Sequence, residues 1–269
     1  MHTKKNPYFA ENVSQLNLQI SFSGYAQTDA TWYQPPMPFP YSRLYYVTEG
    51  SGLLSSDTES VVLEPGYGYL APSGSLCGFS CEKSVSKLFF HIRITMPNGC
   101  DLFSNSKTFA RIPFPVSRIE ALSDWHFSND TVKHAMAKGV IWETVAAFAA
   151  NQSSSVSRQV QYSQNIRNSI RYISENLHAN LTVENVAENV FCSSKTLTNS
   201  FRQELGITVG QYIENLIMQE AQWKLLDTNL TVGQISRELG FCDQYYFSRR
   251  FRKLFNISPT DYRNCNAKL

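Results

Sequence analysis

The stretch LTVENVAENVFCSSKTLTNSFRQELGI, residues 181–207, recurs further along the chain as LTVGQISRELGFCDQYYFSRRFRKLFNI, residues 230–257. The first residues of the two copies match at an offset of 49, and after a slip of one residue Phe191-Cys192 matches Phe241-Cys242 at an offset of 50. Each copy reads as a short capped helix, a tight turn and a second helix, which is the order of a helix-turn-helix. The repeat therefore predicts two helix-turn-helix units in one all-α region.

Residues that favour helix N-caps stand before each predicted helix of this region. Residues 209–226, between the two copies, carry apolar side chains at helical spacing and predict a longer helix that holds the units at a fixed distance. If that distance matches one duplex turn, about 34 Å, both second helices can occupy successive major grooves on one face of DNA. The predicted caps are Thr182, Ser193, Thr208, Thr231, Asp243 and Ser258.

The second helices of the two units, Ser193 to Leu205 and Asp243 to Phe255, carry clustered basic residues. Exposed basic residues on a helix usually form only a solvated face. The alternative interpretation is therefore a helical bundle in which the sequence repeat is accidental. Two basic helices, each ending one copy of a repeated unit, favour DNA binding instead. Leu197, Phe201, Phe247 and Phe251 stand at core spacing and are expected to pack inward.

The first 115 residues or so have the character of β structure. Short runs rich in aromatic and aliphatic residues, such as residues 42–47 and 87–94, alternate with turn sequences such as Glu64-Pro65-Gly66. Strands at this spacing predict a β-sandwich or a small barrel.

A helical pattern follows from residue 129 to residue 150. One apolar stripe runs through Val132, Met136 and Val140, and a second runs through Ile141, Val145 and Phe148. A helix that is apolar on two faces needs two partners: either the β domain and a second copy of the chain, or a single larger core. The serine-rich stretch that comes next is the predicted linker.

Composition narrows the class of protein. The length of 269 residues suits two domains. Because the charges nearly cancel, at a net +2, any contact with nucleic acid must be local. The hydrophobic fraction of 42% is that of a globular chain. No window predicts a membrane span, and the amino terminus has no apolar run behind its two lysines, so we expect a cytoplasmic protein. The six cysteines are scattered and expected to be reduced, and no metal site or cofactor is expected.

Residues 165–263 resemble the AraC/XylS family of transcription regulators, most specifically in the segment GFCDQYYFSRRFRKLFNISPTDYR, residues 240–263. Three positions depart from the family pattern: Ile217 replaces an arginine, Asn256 a glycine and Ser236 an alanine. The segments YYVTEGSG, LEPGYGYLAPSG and FFHIRI resemble, more loosely, the cupin-like effector domain of the same family. Since the early strands lack the histidines of a metal-binding cupin, no metal centre is implied.

The resemblance implies an α+β protein of two domains: a cupin-like β-barrel with dimerisation helices, and an all-α double helix-turn-helix domain. The expected boundaries are 1–120 for the effector domain, 121–150 for the dimerisation segment, 151–162 for the linker and 163–269 for the DNA-binding domain. On the second helices, matching to the family pattern implies base and phosphate contacts by Lys195, Thr198, Asn199, Arg202, Gln244, Tyr245, Arg249, Arg250 and Arg252.

The implied function is a DNA-binding regulator, not an enzyme, in which a small molecule bound by the first domain changes how the DNA-binding units are presented. A sugar is the favoured effector, because aromatic faces cover the apolar side of a pyranose. A homodimer and, since the family more often activates, contact with RNA polymerase are also expected. The alternatives are a cupin-type enzyme fused to a helical module and a regulator whose first domain only dimerises. The candidate effector residues are Trp32, Tyr33, Arg43, Tyr45, Tyr67 and His91.

Overall fold

The structure, a computed structural model, describes residues 16–96, 101–151 and 162–266. These residues form two compact units, one made of residues 16–96 and 101–151 and the other of residues 162–266. Most of the predicted linker, residues 152–161, lies outside the described residues.

The amino-terminal unit contains two antiparallel sheets. The larger has five strands in the order β1-β8-β3-β6-β9, and the smaller has four in the order β2-β7-β4-β5. The strands are β1 (Asn17–Asp29), β2 (Tyr33–Pro38), β3 (Ser42–Gly50), β4 (Gly52–Ser55), β5 (Ser60–Leu63), β6 (Tyr67–Ala71), β7 (Leu76–Ser80), β8 (Ser84–Thr95) and β9 (Ala110–Pro113).

The structure shows that the prediction of a closed barrel is wrong. A barrel needs hydrogen bonds between its terminal strands. Here β1 and β9 end the larger sheet and β2 and β5 end the smaller one, and no strand pairing joins the two sheets in the part of the chain that the structure describes. The sheets are therefore open and face each other, which is closer to the sandwich that the strand spacing also allowed.

The side chains of β3 and β8 alternate between two interiors, as strand geometry requires. Leu44, Tyr46 and Phe90 lie on the face of the larger sheet that packs against helices. Arg43 and Tyr45 lie on the opposite face, where the Arg43 guanidinium is 5.0 Å from the ring of Phe79 in the smaller sheet. The larger sheet consequently separates an apolar core from an aromatic and polar one.

Two helices, α1 (Val116–His126) and α2 (Thr131–Asn151), cover the apolar face of the larger sheet. The Tyr46 hydroxyl on β3 donates a buried hydrogen bond of 2.9 Å to Oγ1 of Thr144 on α2. Of the two apolar stripes predicted on α2, the one through Ile141, Val145 and Phe148 is buried. In the other stripe, Val132 and Met136 are 67% and 45% exposed.

The carboxy-terminal unit is entirely helical among the residues described. Its long helix α6 packs against α5, α7 and α9, and so contacts both predicted helix-turn-helix units. The helices are α3 (Gln164–Glu175), α4 (Val183–Asn189), α5 (Ser194–Leu205), α6 (Val209–Asp227), α7 (Val232–Glu238), α8 (Gln244–Phe255) and α9 (Pro259–Asn266).

All six predicted N-caps are confirmed, because each side-chain oxygen accepts a hydrogen bond from the backbone N–H three residues later. Three of these caps, Thr182, Thr208 and Thr231, also form capping boxes, in which the side chain three residues later accepts a hydrogen bond from the backbone N–H of the cap. Short helices of seven residues depend on such caps, since much of their backbone has no partner within the helix.

The turns of the two units have the same backbone geometry, and it corrects the sequence alignment of the repeat. In the first turn Phe191 has φ 56° and the Cys192 N–H bonds the carbonyl of Ala187; in the second, Gly240 has φ 81° and the Phe241 N–H bonds the carbonyl of Ser236. Phe191 therefore corresponds to Gly240, not to Phe241. The one-residue slip falls after the turn, where the second unit has one more residue before its cap.

Phe191 thus occupies a left-handed backbone position that favours glycine, while its side chain is 96% exposed. We expect Phe191→Gly to raise the free energy of unfolding of the carboxy-terminal unit by about 1 kcal/mol, because the backbone strain is removed and no buried contact is lost. Chemical denaturation of the full chain measures this change. Gly240→Ala, at the matching position, should lower the same quantity; equal stability of Phe191→Gly and the wild type would contradict the prediction.

Candidate nucleic-acid interface and effector site

Helix α5, the second helix of the first unit, has one buried and one exposed face. Leu197 and Phe201 are buried, as predicted. The predicted DNA contacts recur at the spacing of a single helical face, with Lys195, Asn199 and Arg202 exposed and Thr198 half-buried between them. Polar and basic side chains on this face are therefore free to reach a ligand outside the domain.

Helix α8 of the second unit repeats this arrangement. Phe247 and Phe251 are buried, whereas Tyr245, Arg249 and Arg252 are exposed, Tyr245 to 78%. Positions 245, 249 and 252 correspond, at an offset of 50, to 195, 199 and 202 on α5. Both second helices thus present matching faces.

Gln244 and Arg250 are placed differently from the rest of the predicted contacts. Gln244 lies in the first turn of α8 with its amide oxygen close to Gly233 of α7, 2.7 Å from where a Cβ on that glycine would stand. Arg250 forms an ion pair with Glu214 of α6, and both side chains line a groove of about 440 Å³ between α4, α6 and the second turn. A phosphate contact by Arg250 stays a prediction, and it would compete with this ion pair.

Buried polar contacts fix the second unit to its neighbours. Ser236, where the family pattern has alanine, is buried and donates from Oγ to the carbonyl of Asp243, the cap of α8. Gln222 of α6 donates to the Tyr262 hydroxyl of α9 at 3.1 Å, and Arg263 Nε donates to the carbonyl of Leu225. Ile217, where the family pattern has arginine, is buried, and its hydrocarbon side chain cannot form a polar contact of this kind.

The structure brings four of the six predicted effector residues together between the two sheets of the amino-terminal unit. Trp32, Arg43, Tyr45 and His91 are all buried there. Arg43 Nη1 donates to the Tyr45 hydroxyl at 3.0 Å, and the rings of Trp32 and Tyr45 meet edge to face with centroids 6.3 Å apart. We call these four residues, together with Phe39, Tyr41, Phe79 and Lys87, the inter-sheet cluster.

Tyr33 and Tyr67 lie apart from the inter-sheet cluster. Tyr33 is exposed on β2, and Tyr67, half-buried on β6, packs beside Tyr69 and Arg111.

Sequence reasoning missed several members of the cluster, of which Lys87 is the most informative. Its Nζ lies 3.6 Å from the centre of the Trp32 ring and is buried. Burial lowers the pKa of Lys87 to about 8. Period-two alternation along KLFFHIRI could have found this residue, since it puts Lys87 and His91 on one face. The remaining members are aromatic: Phe39, Tyr41 and Phe79.

His91 is held neutral by its surroundings. Burial, and then the positive charges of Arg43 and Lys87, lower the pKa of His91 well below its usual value. Its ring stacks on Tyr41 with centroids 4.4 Å apart. In the described part of the chain, no three His, Cys, Asp or Glu side chains come close enough together to bind a metal ion. No described helix has the length and apolar content to cross a membrane.

Comparison with known proteins gives matches of two kinds. A family model described as a helix-turn-helix domain matches residues 186–264. The Arabinose operon regulatory protein of Escherichia coli K12 is 36% identical over 106 residues, which are 39% of this chain and 36% of that protein. The Lactose operon transcription activator of Staphylococcus xylosus is 32% identical over 101 residues, which are 38% of this chain and 36% of that protein.

The fold is similar to that of ToxT of Vibrio cholerae, with a TM-score of 0.54 at 12% identity over 93% of this chain and 96% of that one. This likeness concerns the fold alone. The matched region spans only about a third of the length of the two curated relatives.

If the exposed face of α8 reads bases, Arg249→Ala should weaken binding to a selected DNA site by about 1–3 kcal/mol and relax the preference at one base pair, because arginine bonds guanine in bidentate fashion. Gel-shift titrations against the site and its single-base variants measure both effects. Arg171→Ala, which removes an exposed arginine of α3, is the matched control. Equal weakening on every sequence would show that Arg249 contacts phosphate only.

Proposed function

We propose that the protein is a sequence-specific DNA-binding regulator of transcription, on the premise that its carboxy-terminal domain belongs to the AraC/XylS family of helix-turn-helix domains. The observation that carries this proposal is the pair of matching exposed faces on α5 and α8, each backed by two buried side chains. The curated relatives are named as regulators of the arabinose and lactose operons, which agrees with it.

In this function the two second helices enter successive major grooves. Lys195, Arg202 and Arg252 supply charge toward phosphates, which sets the register of the protein on the duplex. Asn199 on α5 suits adenine and Arg249 on α8 suits guanine, because each can form two hydrogen bonds with that base. Since the charged surface is local, affinity should fall with added salt while sequence preference persists.

Footprinting of the full-length protein on DNA selected from random sequence tests this proposal. For each bound protomer we expect two protected segments on one face of the duplex, with centres about 10 base pairs apart, the repeat of B-DNA. Asn199→Ala should weaken protection of one segment and Arg249→Ala of the other, because the residues lie on different units. Protection of a single segment, or of two segments on opposite faces, would contradict the proposal.

The amino-terminal unit is proposed to bind a small-molecule effector that changes how the DNA-binding units are presented. A sugar is the first class to consider, since the relatives are named for arabinose and lactose operons and the inter-sheet cluster is rich in aromatic rings. Activation through contact with RNA polymerase is the proposed direction of regulation, because one of the relatives is named as an activator.

Homodimer formation through α2 is the last part of the proposal. Val132 and Met136 lie on the side of α2 opposite its buried stripe, and both are exposed. Isologous pairing of such a face is the commonest form of assembly.

Met136→Glu should shift the full-length protein from dimer to monomer, because a charge would replace an apolar side chain in the paired face. Analytical ultracentrifugation at several concentrations measures this shift. Lys138→Glu, a change of charge at an exposed position beside the buried stripe of the same helix, is the control. A wild-type monomer, or a dimer unaffected by Met136→Glu, would contradict the prediction.

A further inference from the structure

Among the residues that the structure describes, two cationic side chains of the inter-sheet cluster have no anionic partner. Nε and Nη2 of Arg43 and Nζ of Lys87 are buried atoms without a hydrogen-bond acceptor. None of the ion pairs found among the described residues includes Arg43 or Lys87. Buried charges are normally paired, because removing a charge from water is costly.

The unsatisfied atoms of Arg43 have a specific geometry. Nη1 is already used by the Tyr45 hydroxyl. Nε and Nη2 lie on the other edge of the guanidinium plane, and that edge offers two parallel N–H groups of the spacing that receives both oxygens of a carboxylate. Lys87 Nζ adds a second positive charge in the same interior, 5.5 Å from the Tyr45 ring centre.

Aromatic rings, not acids, border these cations. The Arg43 guanidinium lies 3.8 Å from the ring centre of Phe39 and 5.0 Å from that of Phe79, and Lys87 Nζ lies over Trp32. Cation–π contacts compensate such charges only in part. The phenylalanine rings offer apolar surface and no donors, which suits a ligand whose charge sits in one flat group on an apolar or ring-shaped body.

We propose that the effector of the amino-terminal unit is a small organic carboxylate, held by the free edge of Arg43 and by Lys87 between the two sheets. This inference rests on the proposed function and narrows its effector: within the sugars it selects sugar acids over neutral sugars, and outside them it selects aliphatic or aromatic acids. The single negative charge of the ligand then offsets buried positive charge that the described residues leave unpaired.

Thermal unfolding and calorimetric titration of the full-length protein, without DNA, test the proposal with three pairs of probes at matched ionic strength. The pairs are acetate and acetamide, glucuronate and glucose, and octanoate and octanamide. At least one carboxylate should raise the melting temperature in a concentration-dependent manner while its neutral counterpart does not, because a ligand of the native state stabilises it. The responding pair identifies whether the body of the ligand is a sugar or an alkyl chain.

Three variants make the result specific to the site. Lys87→Met and Arg43→Gln should weaken binding of the responding carboxylate by about 30-fold or more, the loss expected when one partner of a buried charged pair is removed. Lys83→Met, which removes an exposed lysine from the segment before β8, should leave it unchanged. Lys87→Met should also melt higher than the wild type without ligand, since it removes an unpaired buried charge; this keeps the test valid if Arg43→Gln does not fold.

Several outcomes would overturn the proposal. These are equal stabilisation by a carboxylate and its neutral counterpart, no stabilisation by any of the carboxylates, or binding that survives in Lys87→Met. Gel shifts of the same variants without ligand keep the two proposals separate, because both residues lie in the unit that carries no DNA-binding helix. If the wild-type protein does not bind DNA, the proposed function as a regulator is refuted, whatever the ligand titrations show.

Discussion

Both helix-turn-helix units depend on α6, because neither can bury its own apolar face. The first helices of the units have seven residues and the second helices twelve, too few for a stable independent core. Helix α6 packs against α5, α7 and α9, and hydrogen bonds from Gln222 and to the carbonyl of Leu225 fix α9 to it. Its 19 residues extend over about 28 Å as a straight helix, so the spacing of the two units is a property of a rigid element and not of a loop.

Local chemistry made the helical unit predictable. Six caps, the order of the helices and the four buried side chains at Leu197, Phe201, Phe247 and Phe251 followed from residue types at fixed spacing. The β unit was less predictable, because strand runs and turns do not state which strands become edges, and the expected barrel proved to be two open sheets. The exposed contacts on α5 and α8 were chosen from the family pattern, since the spacing of residues on a helix does not distinguish a base contact from a phosphate contact.

The repeat shows where sequence similarity and backbone geometry separate. Letters alone align Phe191-Cys192 with Phe241-Cys242, but the left-handed residues and the turn hydrogen bonds align Phe191 with Gly240. Phenylalanine is a rare choice for such a backbone position, so no propensity rule would have placed it there. Of the two buried cations, Arg43 was predicted and Lys87 was missed, because Lys87 was taken as part of an apolar strand although alternation along β8 separates the two faces of that strand.

Strand β3 carries Tyr45 and Tyr46 side by side, yet their hydroxyl groups belong to different layers of the molecule. Tyr45 accepts from Arg43 between the sheets, whereas Tyr46 donates to Thr144 beneath the helices. A strand is too stiff to move one of two adjacent residues alone. Any displacement of β3 that admits an occupant on one side must therefore strain or shift α2 on the other, and with it the solvent-facing row of Val132 and Met136.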